Sequence, residues 1–199
     1  MNIGIIAAVF ALVAVAELPD KTMIATLVMG SRGRPAWVWL GCAGAFLVHV
    51  VLAVVAGRLL QLLPHRTLEI VVTVLFFGGA VYLLAVPEKA EEDKGEAEAE
   101  AEKEAASTRP WRIAGTAFGV ILVGEFGDLT QLLTVNLTAK YHEPFSVFTG
   151  ALLALWAVAA LGAFGGKALL RVIPVSLIRR IGGVVLLGFA AYNIYSLVR

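Results

Sequence analysis

Apolar residues run along this chain in six long stretches, at about 3–29, 36–56, 68–86, 113–139, 145–166 and 181–198. Each is long enough for a helix to cross about 30 Å of hydrocarbon, which takes about 20 residues. The connectors between them carry the helix breakers: "GSRGRP" at 30–35, "LLPHRT" at 62–67, "KYHEP" at 140–144 and "RVIPVS" at 171–176. This pattern predicts an all-α polytopic membrane protein with six transmembrane helices.

Composition agrees. Of the 199 residues 59% are hydrophobic and 16% charged, against roughly a quarter charged in a soluble domain. The opening "MNIGIIAAVFALVAVA" looks like a secretory signal, but it lacks a basic n-region and its apolar run continues to residue 29. It is expected to stay as the first helix. The single cysteine, Cys42, excludes an internal disulfide and reads as a small buried hydrophobe. No Lys/Arg cluster suggests nucleic acid.

The second half of the chain repeats the first. "ELPDKT" at 17–22 aligns with "EFGDLT" at 125–130, pairing Glu17 with Glu125, Asp20 with Asp128 and Thr22 with Thr130; Thr26 meets Thr134 at the same offset. With one residue inserted, Pro35 meets Pro144, Gly41 meets Gly150 and Gly57 meets Gly166; with one more, Pro64 meets Pro174, Gly78 meets Gly188 and Tyr82 meets Tyr192. The expected division is a three-helix repeat at 1–87, a linker at 88–110 and a second three-helix repeat at 111–199. An odd number of spans per repeat requires the halves to be inverted, an architecture of secondary transporters whose site lies at the midplane between the repeats.

Basic residues concentrate at 32–34, 89–112 and 167–180, while the opposite side has only Arg58, Arg66, Lys140 and Arg199. The richer side is expected to be cytoplasmic, leaving both termini outside. Nine of the fifteen acids lie between Glu88 and Glu104, so the linker reads as a solvated acidic spacer. A screen that gathers divalent cations at the cytoplasmic mouth is the less favoured reading.

Four acids fall near the middle of the spans instead: Glu17, Asp20, Glu125 and Asp128. A charge at a helix centre costs about 2.5–3.5 kcal/mol on insertion scales, so such residues point to function. A polar network that merely pairs helices is the bland alternative. On continuous helices, a Glu and an Asp three residues apart would share a face, giving each half one two-carboxylate unit. Packed about a pseudo-two-fold axis, the two units would form a ring of hard oxygens, with Thr22, Thr26, Thr130, Thr134 and Gln131 adding neutral ones. Such a set suits Mn²⁺, Ca²⁺ or Mg²⁺. Met23 is a soft atom nearby, more simply a packing residue, that would favour Mn²⁺ over Ca²⁺.

Crowded carboxylates repel one another, so either protons or a divalent cation must fill the site. That alone makes an exchanger, with about two protons per metal and the acids titrating as a coupled set. Pro19 and Gly127 occupy equivalent slots between the acids, where each would open its helix. His49 lies mid-span with Val158 at its repeat position; a hydrogen-bonded structural histidine is favoured over a proton relay.

Two copies of Glu-x-Gly-Asp-Lys/Arg-Ser/Thr, one in each half around an acidic loop, resemble the Ca²⁺/Mn²⁺–proton antiporters, whose members include Golgi and chloroplast transporters and bacterial manganese exporters. The resemblance covers nearly the whole chain outside 88–110. It implies a cation site of Glu17, Asp20, Thr22, Glu125, Asp128, Thr130 and Gln131. Two departures stand out: Pro19 replaces the first motif's Gly, and Leu129 replaces the second motif's base, which Lys21 keeps.

The expected protein is therefore not an enzyme. It exchanges a divalent cation, Mn²⁺ first and Ca²⁺ next, for protons across a bacterial plasma membrane. Its partners are the metal ion and the lipid bilayer, a homo-oligomer being compatible, and its only cofactor-like species are the transported cation and protons. Two alternatives stay open: export of a small organic cation or amino acid, in the manner of lysine exporters, and an intramembrane aspartyl protease using Asp20 and Asp128.

Overall fold

The computed structural model describes residues 1–18, 21–30, 34–85 and 109–170, with positions 184, 187, 188, 190, 191, 194 and 195 of the final stretch. Every regular element among them is an α-helix: α1 Ile3–Glu17, α2 Lys21–Gly30, α3 Pro35–Leu60, α4 His65–Ala85, α5 Pro110–Gly124, α6 Leu129–Tyr141 and α7 Pro144–Leu170. The acidic linker lies outside the described residues except for its last two positions.

Local chemistry sets the helix starts. Asn2 caps α1, its Oδ1 accepting from Gly4 N at 2.9 Å. Pro35, Pro110 and Pro144 open α3, α5 and α7, where proline's missing N–H costs nothing and its fixed φ suits the first turn. α6 ends on His142 in the left-handed region, φ 53°, just ahead of the breaker pair Glu143–Pro144.

α3 and α7 form the centre. Their rings Trp39 and Trp156 meet edge to face at 6.0 Å. Each indole N–H donates across the crossing, Trp39 to the Trp156 carbonyl at 3.0 Å and Trp156 to the Ala43 carbonyl at 3.1 Å. α5 packs on α3, and α1 packs on α7. Both contacts use glycine in the same way. A Cβ on Gly41 would stand 2.2 Å from the Ala114 carbonyl oxygen, and one on Gly150 would stand 2.7 Å from that of Ile6. Gly41 and Gly150 are repeat equivalents, and so are Ile6 and Ala114. Small residues let membrane helices approach closely where lipid offers no hydrophobic drive. The core between these helices is filled by Val9, Val13, Phe46, Val50, Ile121, Leu137 and Leu155, and Cys42 is buried within it.

Among the described residues, two helices are long and apolar enough to cross a membrane unbroken, at Pro35–Leu60 and Pro144–Gly165. α5 and α6 make a third if counted together, but they meet at a 70° bend. The single span expected at 113–139 is thus broken. α5 gives way to α6 at 125–128, and α1 ends at Glu17 before α2 starts at Lys21, with Pro19 and Asp20 outside the described residues.

Candidate cation site

The break between α5 and α6 carries two of the acids, and this corrects the expected geometry. Glu125 caps the carbonyl end of α5 and Asp128 caps the amide end of α6, so the two do not share one helix face. Gly127 turns the chain between them with φ +80°, a conformation that costs residues with a Cβ but not glycine. The turn closes through Asp128 N donating to the Glu125 carbonyl at 3.2 Å. Its second anchor is Asp128 Oδ1, which accepts from Leu129 N at 2.6 Å as an N-cap.

Glu17 and Glu125 are equivalent again in environment. Glu17 ends α1, Glu125 ends α5, and both are buried, at 1% and 4% exposure. The carbonyl end of a helix carries partial negative charge, which repels a carboxylate and draws a proton or cation to it. Asp128 stands at the opposite kind of end, where the α6 amides favour an anion.

The threonines cross between the halves. Thr22, on α2, donates its hydroxyl hydrogen to Glu125 Oε1 at 2.5 Å. Thr130, on α6, donates to Glu17 Oε2, also at 2.5 Å. Under the repeat alignment each bond is the image of the other. One turn further on, Thr26 and Thr134 donate to the carbonyls of Thr22 and Thr130, both at 2.8 Å. Each site hydroxyl spends its hydrogen on a glutamate and keeps two lone pairs for another partner.

Glu17, Glu125, Asp128, Thr130, Gln131 and Thr134 line one cavity with Phe46, His49, Val50, Ala53 and Leu155. Its volume is about 20 Å³. A single water needs about 10–15 Å³ on the same measure, so there is room for an ion or one water. Among the described residues no three of His, Cys, Asp and Glu stand close enough together to hold a metal. Asp20, expected as the fourth carboxylate, lies outside the described residues.

Gln131 is engaged at both ends of its amide. Oε1 accepts from Gly127 N at 2.7 Å, and Nε2 lies 3.3 Å from His49 Nδ1. His49 is hydrogen-bonded, as the sequence favours, and its partner is Gln131 at the cavity wall. The available signal was a lone histidine in an apolar span with an apolar repeat counterpart.

The profile of a family described as the divalent cation/proton antiporter GDT1 matches residues 5–91 and 113–199. The chain is similar to the GDT1-like protein sll0615 of Synechocystis sp., with 31% identity over 192 residues that make up 92% of each protein. It is also similar to two Arabidopsis thaliana proteins. The chloroplastic PAM71-homolog is 32% identical over 95% of this chain and 58% of its own length. Chloroplastic PAM71 is 29% identical over 96% and 57%. The chain thus spans a little over half the length of these plant relatives. No solved structure matches it.

Proposed function

Because this chain belongs to the GDT1 family of divalent cation/proton antiporters, we propose that it carries Mn²⁺, and with less preference Ca²⁺, in exchange for protons. The observation that supports this most is the reciprocal pair of bonds, Thr22 to Glu125 and Thr130 to Glu17. It brings buried oxygen donors from both halves to one place, each glutamate at a helix end that attracts positive charge. Broken helices whose ends face a site at the repeat interface are the pattern by which transporters bind ions in the membrane.

In this reading the loaded site draws Glu17, Asp20, Glu125 and Asp128 together around the cation, with the hydroxyls of Thr22 and Thr130. All are hard oxygens, which suits Mn²⁺ and Ca²⁺. Gln131 serves by bracing the elbow around Gly127. Two charges on the metal replace about two protons, so the cycle is electroneutral.

The same reading takes the chain as six spans in two inverted repeats. It is supported by the equivalent packing of α1 on α7 and α5 on α3, and by the matched glycine contacts. The basic side is cytoplasmic, the membrane is a bacterial plasma membrane, and the inward proton gradient drives export.

The test is purified protein in liposomes with an imposed pH gradient and an internal pH dye. Mn²⁺ or Ca²⁺ uptake should run with proton release, and clamping the membrane potential should leave its rate unchanged. No metal-coupled proton flux with either ion, or with Mg²⁺, would refute the proposal.

A further inference from the structure

The hydrogen bonds behind the α5–α6 elbow have a direction, and that direction gives His49 a task. Gly127 N–H can only donate, so the amide atom it meets is Gln131 Oε1. The other end of the amide, facing His49 Nδ1, is then Nε2, which carries only hydrogens. His49 Nδ1 is therefore the acceptor that fixes which way Gln131 lies. The ring is held on α3 at 4% exposure, with the Phe126 ring 6.2 Å away at the tip of the elbow.

Among the described residues the first half has no counterpart of this pair. Repeat alignment places Met23 opposite Gln131 and Val158 opposite His49, and both are buried apolar residues, at 3% and 1% exposure. A polar pair in an apolar interior costs more than an apolar one unless its bonds are used. Here they are used on Gly127, the one residue in the turn with positive φ, between the two acids of the second half.

We propose that His49 is a positioning residue of the transport site, which by accepting from Gln131 locks that amide onto Gly127 and so sets the spacing of Glu125 and Asp128. The inference rests on the antiport reading above and deepens it. It requires a lone pair at Nδ1 and assigns His49 neither metal nor proton. Without that acceptor the Gln131 amide is free to turn, the Gly127 N–H loses its partner, and the second pair of acids meets the cation out of register.

Two variants separate hydrogen bonding from packing. His49→Asn keeps an acceptor near the Nδ1 position but is smaller; His49→Leu fills the space and offers none. In proteoliposomes, His49→Leu should raise the half-saturating Mn²⁺ concentration about tenfold, while His49→Asn stays within about threefold of the parent and maximal rates change little. Hydrogen–deuterium exchange of the protein in nanodiscs gives a readout that needs no transport. Exchange at Gly127 should quicken in His49→Leu and not in His49→Asn.

His49→Leu matching the parent in both measurements overturns the proposal, as does equal damage from the two variants. If His49→Leu fails to assemble, the double variant His49→Val with Gln131→Met installs the first half's own apolar pair. It should assemble, exchange faster at Gly127 and bind Mn²⁺ more weakly; parental behaviour overturns the proposal. Absence of Mn²⁺ or Ca²⁺ flux in the parent protein refutes the antiport reading instead, and the Gly127 exchange rates still decide whether His49 braces the elbow.

Discussion

The end of α1 and the end of α5 carry the same chemistry on different supports. Each ends a helix on a buried glutamate, and each is followed by a threonine that reaches across to the other's glutamate. Behind the second stand Gln131 and His49; at the equivalent positions of the first stand Met23 and Val158. The basic position of the motif is Lys21 in one and Leu129 in the other. The pair teaches that the hydroxyl–carboxylate bonds are kept twofold while the residues behind them are free to differ. On the proposed reading a site between the halves needs matching donors from both sides, but the residues behind each glutamate can be any pair that packs.

Removing a glutamate should have the largest effect. Glu17→Gln and Glu125→Gln each remove a buried carboxylate that the proposed exchange needs both to ligate the cation and to carry a proton. Each should cut metal–proton exchange in liposomes by more than about a hundredfold. Equal loss supports a shared site; a variant that retains its activity would break the equivalence of the two glutamates.

The threonines come next. Thr22→Val and Thr130→Val each remove one hydrogen bond to a carboxylate, worth about 1.5–3 kcal/mol when the acceptor is charged. Both should weaken apparent Mn²⁺ affinity by about tenfold or more and to a similar extent. A tenfold gap between the two would show that the reciprocal bonds are alike in geometry only.

The glycine contacts test whether the likeness extends beyond the site. Gly41→Ala drives a methyl into the Ala114 carbonyl, and Gly150→Ala drives one against Ile6 with half an ångström more room. Overpacking of this kind costs about 1–3 kcal/mol. Thermal unfolding in detergent should show both destabilised, Gly41→Ala the more.

Much of this was legible in the sequence, for identifiable reasons. Glu17, Glu125, Thr22 and Thr130 stood out because polar residues inside apolar runs need a purpose, and the repeat joined them across the halves. Gly127 read correctly as a point where the helix opens. The elbow itself did not read. Where nearly every residue is apolar, periodicity carries no signal, so the stretch 113–139 looks like one helix whether or not it bends. Glu125 and Asp128 therefore appeared three apart on one face, although they cap different helices. His49 was hidden differently: its role depends on which atom of Gln131 faces it, and no spacing rule encodes that.

The smallest expected difference concerns the second tier of threonines. Thr26 and Thr134 both donate to the carbonyl one turn back on their own helix, at 2.8 Å. Such back-bonding leaves little net stability to lose, so replacing either with isosteric valine should leave the fold intact. Their surroundings nevertheless differ. Thr134 lines the cavity, whereas Thr26 abuts Gly162 so tightly that a Cβ there would fall 2.0 Å from its hydroxyl oxygen. Thr134→Val should therefore weaken apparent Mn²⁺ affinity by about two- to threefold through the loss of one polar group at the cavity wall. Thr26→Val, buried against α7, should leave affinity where it was. The reverse order would place the working side of the cavity on the first half, and the asymmetry drawn from Gln131 and His49 would then run the other way.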